Sequence, residues 1–163
     1  MSLNDRYLLS HLNLEFDVEN DIDPLAKDYF ELGTVEVLSG NYQKAVEAYE
    51  QAIAIAPEYA PVYLGRGIAL ERAKDWPRAE ADFLRALELA PDQPYVLNYL
   101  GYSWVEQGRE LTRAKRMIER AVELRPHDGH IVDSLGWVLF RMGDYRAAVR
   151  WLERAVELLP RDP

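Results

Sequence analysis

Cysteine is missing from the 163-residue sequence, which excludes disulfide bonds and metal sites built on thiolates. No run of residues approaches the roughly 18 consecutive apolar residues that a membrane-spanning helix needs. The first residues, MSLNDRYLL, lack the basic start and long apolar stretch of a signal peptide. We therefore expect no membrane insertion and a soluble chain, cytoplasmic as it stands, or periplasmic if it is a fragment of an exported protein.

Motifs of catalysis are missing as well. The sequence has no phosphate-binding GxxxxGK[ST] loop and no HExxH pair. One cluster, PHDGHIVD, brings together His127, Asp128, His130 and Asp133, but two of these residues fall in a predicted turn and two on the helix that follows. That spacing does not suit a metal site. We predict that the protein is not an enzyme and that it has no catalytic residue, no cofactor and no bound metal.

An excess of basic over acidic side chains is also missing from most of the chain. Residues 1–95 carry 18 acidic and 8 basic side chains, whereas residues 96–163 carry 10 and 11. Binding to nucleic acid draws its free energy from basic side chains that displace counterions from phosphates. We therefore expect no nucleic-acid partner.

A repeat of about 34 residues runs through the chain from Pro24 onward. Glycines recur at spacings of 34, 34 and 35 residues, at Gly33, Gly67, Gly101 and Gly136. Three further series keep the same period, at Ala45, Ala79, Ala114 and Ala148, at Ala52, Ala86, Ala121 and Ala155, and at Pro57, Pro91, Pro126 and Pro160. The extra residue falls between Gly101 and Ala114, which predicts a longer turn at residues 108–110.

Each copy of the repeat predicts two helices. In the first copy, apolar residues at three- and four-residue spacing stop at residues 39–41, and a second run extends from Tyr42 to Pro57. The glycine of the first helix faces the alanines of the second, which predicts a close approach of the two helices. Three residues at matching places are predicted N-caps: Asn41, Asp75 and Asp144.

The order of an aromatic residue, Leu-Gly, a second aromatic residue, alanines and a closing proline resembles the tetratricopeptide repeat family. LGYSWVEQG, from Leu100 to Gly108, and LGWVLFRMG, from Leu135 to Gly143, carry the likeness and look most like bacterial members. The resemblance implies an all-α fold, a right-handed superhelical stack of four helix-turn-helix units, or α-solenoid. It also implies a non-catalytic scaffold or adaptor for protein–protein interaction. Departures such as Arg66, which replaces the usual leucine before Gly67, are mild.

We divide the chain into an N-terminal segment, residues 1–23, and a repeat domain, residues 24–163. The repeats span residues 26–59, 60–93, 94–128 and 129–162. In the N-terminal segment, Leu8, Leu9, Leu12 and Leu14 favour a short helix that covers the first repeat, whereas the acidic residues after them favour a solvated leader, and both interpretations stay open. The chain suits a fragment of a larger bacterial protein.

In the resembled family, the first helices of the repeats line a concave groove that binds an extended peptide or a helix of a partner protein. Carried over by repeat position, the groove residues are Phe30, Thr34, Val37, Leu64, Ile68, Glu71, Asn98, Tyr102, Val105, Asp133, Trp137, Phe140 and Arg141. We expect Tyr102 and Trp137 to offer flat contact area and Asn98 to hydrogen-bond a ligand backbone. The alternative is that these aromatic side chains pack on each other. Eight other aromatic residues are predicted core: Tyr29, Tyr42, Tyr49, Tyr63, Trp76, Phe83, Trp104 and Tyr145.

The last helix predicts a second surface. In repeat arrays each second helix is covered by the next copy, so the last one is expected to leave an apolar face, formed by Leu152, Ala155, Val156, Leu158 and Leu159. This face predicts a homodimer through the uncapped C-terminal helix, or coverage by the next helix of a parent protein. A structural, self-associating repeat segment is accordingly the alternative to a peptide-binding module.

Overall fold

The computed structural model describes Leu9 and residues 22–159, and residues 22–159 contain only α-helices and turns. The chain forms two compact units, Met1–Pro91 (unit 1) and Asp92–Pro163 (unit 2). Unit 1 contains α1 (Pro24–Leu38), α2 (Tyr42–Ile55), α3 (Ala60–Arg72) and α4 (Trp76–Leu89). Unit 2 contains α5 (Pro94–Glu106), α6 (Leu111–Leu124), α7 (Gly129–Arg141) and α8 (Tyr145–Leu158).

In unit 1, α1 pairs with α2 and α3 pairs with α4, while α3 also packs against α2. The repeat glycines lie at the points of closest approach. A Cβ atom added at Gly33 would lie 2.6 Å from the ring of Tyr49, and one at Gly67 would lie 2.5 Å from the ring of Phe83. Both rings are fully buried. The spacing of glycine and aromatic residues in the sequence is therefore the spacing of helix contacts.

Unit 2 repeats the arrangement: α5 pairs with α6, α7 pairs with α8, and α7 packs against α6. Here aliphatic side chains take the place of the rings. Added Cβ atoms at Gly101 and Gly136 would lie 2.8 Å from Ile118 Cγ1 and 2.6 Å from Leu152 Cγ. The predicted close approach of the paired helices is confirmed in both units.

The turns within the helix pairs use left-handed backbone, in which glycine is unstrained. Gly40 and Gly143 have φ angles of +80° and +86° after α1 and α7. The turn between α5 and α6 contains two left-handed residues, Gly108 and Glu110, so the predicted longer turn is confirmed. At the matching position of the second repeat, Lys74 adopts φ +66°, a conformation that costs a residue with a Cβ atom about 1–2 kcal/mol.

Replacing Lys74 with glycine should stabilise the protein by roughly 0.5–1 kcal/mol. Glycine removes the strain that the Cβ atom of Lys74 has in left-handed backbone. This gain in free energy is larger than the loss that results from the greater conformational freedom of glycine in the unfolded chain. Urea unfolding followed by circular dichroism measures the difference. Gly40→Ala is the matched control and should have the opposite sign, because its φ is positive and its added Cβ meets no atom within 4 Å. An unchanged midpoint for both variants would contradict the interpretation.

Two of the three predicted N-cap side chains make cap hydrogen bonds. Asp75 and Asp144 accept hydrogen bonds from the backbone N–H groups of Arg78 and Ala147, as predicted. Asn41 holds the predicted N-cap position of α2, but its side chain makes no cap bond within the described residues. Its amide donates instead to Glu36 Oε2 at 2.9 Å, at the end of α1.

The predicted aromatic core is largely confirmed. Tyr49, Tyr63, Phe83 and Trp104 are buried, and Tyr29, Tyr42 and Trp76 are half-buried. The prediction is wrong for Tyr145, which is mostly exposed at the start of α8. The first residue of α8 lies at the rim of the α7–α8 pair, where a side chain reaches solvent.

One buried ion pair in unit 1 was not predicted. Arg66 on α3 donates two hydrogen bonds to Asp82 on α4, Nε to Oδ2 at 2.8 Å and Nη2 to Oδ1 at 2.7 Å. Burial raises the pKa of the Asp82 carboxyl, and the hydrogen bond and positive charge of Arg66 oppose that rise. The departure from the family pattern at Arg66 is thus matched by a carboxylate on the facing helix.

The predicted N-terminal helix falls mostly on residues that the structure does not describe. Leu9 is helical and buried, whereas Leu8, Leu12, Leu14 and the acidic stretch lie outside the described residues.

Among residues 22–159, no helix combines the length and the apolar character that crossing a membrane requires.

Candidate functional site

In unit 1, most of the predicted groove residues are packing residues. Phe30 contacts the rings of Tyr49 and Tyr59, with centroids 6.0 and 5.4 Å apart. Thr34 Oγ1 donates to the Phe30 carbonyl and lies 3.0 Å from Tyr49 Oη. Their side chains are buried and cannot form an exposed contact area, which corrects the groove prediction for five residues: Phe30, Thr34, Val37, Leu64 and Ile68. Glu71 is half-buried.

In unit 2, most of the predicted groove residues reach solvent. Tyr102, Asp133, Phe140 and Arg141 are exposed, and Asn98 and Trp137 are half-buried. Val105 is the exception, since it is fully buried. The first helices of unit 2, α5 and α7, therefore present a surface that α1 and α3 do not.

The centre of this surface is a stacked aromatic pair. The rings of Trp137 and Phe140 are nearly parallel, with an interplanar angle of 14° and centroids 5.5 Å apart. Trp137 Nε1 donates a hydrogen bond of 2.8 Å to Glu106 Oε1 on α5. The Arg141 guanidinium lies 5.7 Å from the centroid of the Trp137 ring, a cation–π distance. The indole is thus held by a helix other than its own.

One tyrosine contacts the pair and another lies on α5, near Glu106. Tyr102 lies one helical turn before Glu106, so both face the same side of α5. Tyr145, at the start of α8, contacts Phe140 edge-on with ring centroids 5.4 Å apart. We call Tyr102, Glu106, Trp137, Phe140 and Arg141 the aromatic surface.

Polar groups lie on the same two helices. Asn98 Oδ1 is buried and accepts no hydrogen bond from the described residues. Asp133 occupies the equivalent position on α7. Partial burial raises the pKa of the Asp133 carboxyl, although the nearby His130 opposes the rise. Both residues were predicted to line the groove.

The histidine and aspartate cluster has a structural explanation. Asp128 Oδ1 accepts hydrogen bonds from the backbone N–H groups of His130 and Ile131, which caps α7. Asp128 Oδ2 accepts another from Tyr95 Oη at 3.0 Å. Among residues 22–159, no three histidine, aspartate or glutamate side chains are grouped as a metal site would require.

The predicted self-association residues divide between the interior and the surface. Leu152 and Leu159 pack on Gly136 and Gly129 of α7. Ala155 is fully buried, and Leu158 is half-buried. Val156 is exposed. Most of this set thus completes the α7–α8 pair, and the outward face of α8 includes Val156.

Sequence reasoning missed Glu106 as part of the aromatic surface and Tyr145 as a neighbour of Phe140. Glu106 was not singled out because it closes α5 as an ordinary exposed carboxylate. Tyr145 was assigned to the core by repeat position. The signal for Glu106 was its place one turn after Tyr102.

Comparison with known proteins agrees with this architecture. Two family models of the tetratricopeptide repeat match residues 30–94 and residues 133–162. No curated protein sequence matches the chain significantly.

Solved structures match over most of the chain. A structure of MamA is 18% identical with a TM-score of 0.73, and the match covers 97% of this chain and 95% of that one. A double mutant of MamA from RS-1 is 19% identical with a TM-score of 0.74, covering 84% and 76%. Pseudomonas aeruginosa PilF is 22% identical with a TM-score of 0.76, covering 82% of this chain and 61% of its own. At such identities the likeness concerns the fold.

The helix pairs, the glycines at their contacts and the left-handed turns recur with the same period in both units. The two family matches fall on this repeat, and the solved structures share its fold. The chain belongs to the tetratricopeptide repeat family.

Proposed function

We propose that the aromatic surface of unit 2 binds a segment of a partner protein. Tetratricopeptide repeats are typically non-catalytic modules, and the family and fold support a scaffold for protein–protein interaction in general. The proposal adds where the contact is made. With the four repeats at residues 26–59, 60–93, 94–128 and 129–162, the surface belongs to the first helices of the third and fourth repeats.

The observation that carries the proposal is the stacked pair of half-buried Trp137 and exposed Phe140. Large aromatic side chains dominate binding energies because they bury much area while losing little conformational freedom. The hydrogen bond from Trp137 to Glu106 and the Arg141 guanidinium hold the indole in place before a ligand arrives. A surface ordered in advance loses less entropy on binding.

The surface suits a peptide with an apolar or aromatic side chain that lies flat on Phe140. Asn98 supports the proposal, because its buried Oδ1 has no hydrogen-bond partner among the described residues. A buried acceptor without a partner is destabilising, so a rotation of the Asn98 side chain that brings Oδ1 to a backbone N–H group of a bound peptide would relieve that cost. Glu106 and Arg141 place one charge of each sign beside the rings.

Replacing Tyr102 and Phe140 with alanine should weaken binding by about 2 kcal/mol, or roughly thirtyfold in Kd. Both side chains are exposed, so helix content should not change. A displayed peptide library is selected on the unaltered protein, and the Kd of the selected peptides is then measured by fluorescence anisotropy on the variant.

Leu32→Ala is the matched control, because Leu32 is a comparably exposed apolar residue on α1 of unit 1. It should leave the Kd unchanged. Peptides that bind the double variant as tightly as the unaltered protein would place the site elsewhere. A loss of circular dichroism signal in the double variant would show that the two side chains stabilise the fold.

A further inference from the structure

The outward face of α8 carries an exposed apolar stripe centred on two valines. Val149 is 53% exposed and Val156 is 70% exposed. Tyr145, whose ring also contacts Phe140, and the half-buried Leu152, which also packs on Gly136 of α7, extend these valines into a run at alternating spacings of four and three residues. This 3.5-residue period keeps one seam of a helix facing a partner helix, as in coiled coils.

Two of the equivalent positions on other helices are buried where a further helix covers them. Val46 on α2, the repeat equivalent of Val149, is 2% exposed, and α3 packs against α2. Val122 on α6, the equivalent of Val156, is also buried, and α7 packs against α6. The stripe on α8 therefore has the form of a surface that this fold closes with a helix.

We propose that this stripe binds the α8 stripe of a second copy of the chain in an antiparallel arrangement. A two-fold axis makes every contact occur twice, since the same patch serves both copies. In the register that best matches the stripe, Val149 faces Leu152 of the second copy and Tyr145 faces Val156 of the second copy.

The charges beside the stripe favour a second copy of the chain as its binding partner. Arg146 and Glu153 each follow a stripe residue, and both are exposed on the same flank of α8. In the antiparallel register, Arg146 of one copy lies beside Glu153 of the other, and the two-fold axis forms this pair twice. Flanking charges of this kind set partner choice and orientation in helix pairs. On the other flank, Ala148 and Ala155 are buried and add no repulsion.

Light scattering over a wide dilution series tests the proposal on the full chain. The expected mass is 18.8 kDa at high dilution and twice that at high concentration. Val156→Glu should raise the dissociation constant at least about tenfold, because it places an unpaired charge in an apolar contact. Val35→Glu, on an exposed valine of α1, should leave the dissociation constant unchanged.

A charge exchange tests the orientation. Arg146→Glu alone and Glu153→Arg alone should each weaken the dimer, because each places like charges together, and the double exchange should restore it. Circular dichroism should show the same helix content throughout, since both side chains are exposed. A monomeric mass at every concentration would overturn the proposal and leave the stripe to a different protein or to a further segment of a longer chain. A dimer insensitive to Val156→Glu, or not restored by the double exchange, would overturn it equally.

Discussion

Replacing Gly67 with leucine should destabilise the protein by about 3 kcal/mol, at the upper end of the usual cost of overpacking. A Cβ atom alone would lie 2.5 Å from Phe83 Cε1 and 2.8 Å from Phe83 Cδ1. Phe83 is fully buried, so its ring cannot move into solvent. The α3–α4 pair must separate to admit the larger side chain.

Helix propensity alone predicts that Gly67→Leu stabilises the protein, so the two explanations predict opposite signs for the change in stability. Leucine is a better helix former than glycine by roughly 0.8–1 kcal/mol, so a position governed by propensity would gain stability. Urea unfolding followed by circular dichroism measures the free energy of unfolding. Phe83→Ala makes room for the leucine, so Gly67→Leu should cost less in that background than alone. A single variant as stable as the unaltered protein would show that the two helices do not meet at Gly67.

Replacing Arg66 with leucine should cost about 3–5 kcal/mol, the usual effect of removing one partner of a buried ion pair. The side chains of Arg66 and Asp82 are 20% and 6% exposed. Without the guanidinium, the Asp82 carboxylate is left in a poorly solvated place without its two hydrogen bonds. The exposed pair of Arg78 and Glu50, 3.4 Å apart, supplies the control, and Arg78→Leu should cost less than about 1 kcal/mol.

The cost of Arg66→Leu should also depend on pH. Burial raises the pKa of Asp82 above its ordinary value of 3.8, and loss of Arg66 raises it further. The folded variant then binds a proton more readily than the unfolded chain, so its stability rises as pH falls through the folded pKa. The deficit should be largest at neutral pH and smaller in acidic buffer, as measured by urea midpoints.

A double variant, Arg66→Leu with Asp82→Leu, completes the test. Removing both charges should recover most of the loss, because no unpaired charge remains buried. A single variant no less stable than Arg78→Leu, or a deficit that grows on acidification, would contradict this account.

Much of the fold could be predicted from the sequence because the residues that form each helix contact lie within a single repeat. Glycine recurs where a helix must approach its partner, and a bulky side chain recurs on the facing helix, as Gly33 faces Tyr49 and Gly136 faces Leu152. Turn residues with left-handed backbone then separate the helices. Such signals lie within one repeat, so they need no knowledge of distant residues.

The site was predicted less well because repeat position determines where a side chain points and leaves open what covers it. Phe30 and Asn98 hold equivalent positions, yet Phe30 is enclosed by Tyr49 and Tyr59, whereas Asn98 is half-buried with an unpaired oxygen. Trp137, Phe140 and Arg141 were predicted to share a surface and do lie together.

The sequence by itself determined the helix pairs, their close contacts and the period that relates them, because these depend on residues within one repeat length. Only the tertiary structure decided which polar side chains meet. Arg66 and Asp82 are 16 residues apart and lie on paired helices, and Glu106 and Trp137 are 31 residues apart and lie on helices of successive repeats. The sequence places Glu106 one turn after Tyr102, but neither hydrogen-bonded contact has a sequence signal of its own. An exposed carboxylate and one in reach of a partner look alike until the helices pack and bring the two side chains within hydrogen-bonding distance.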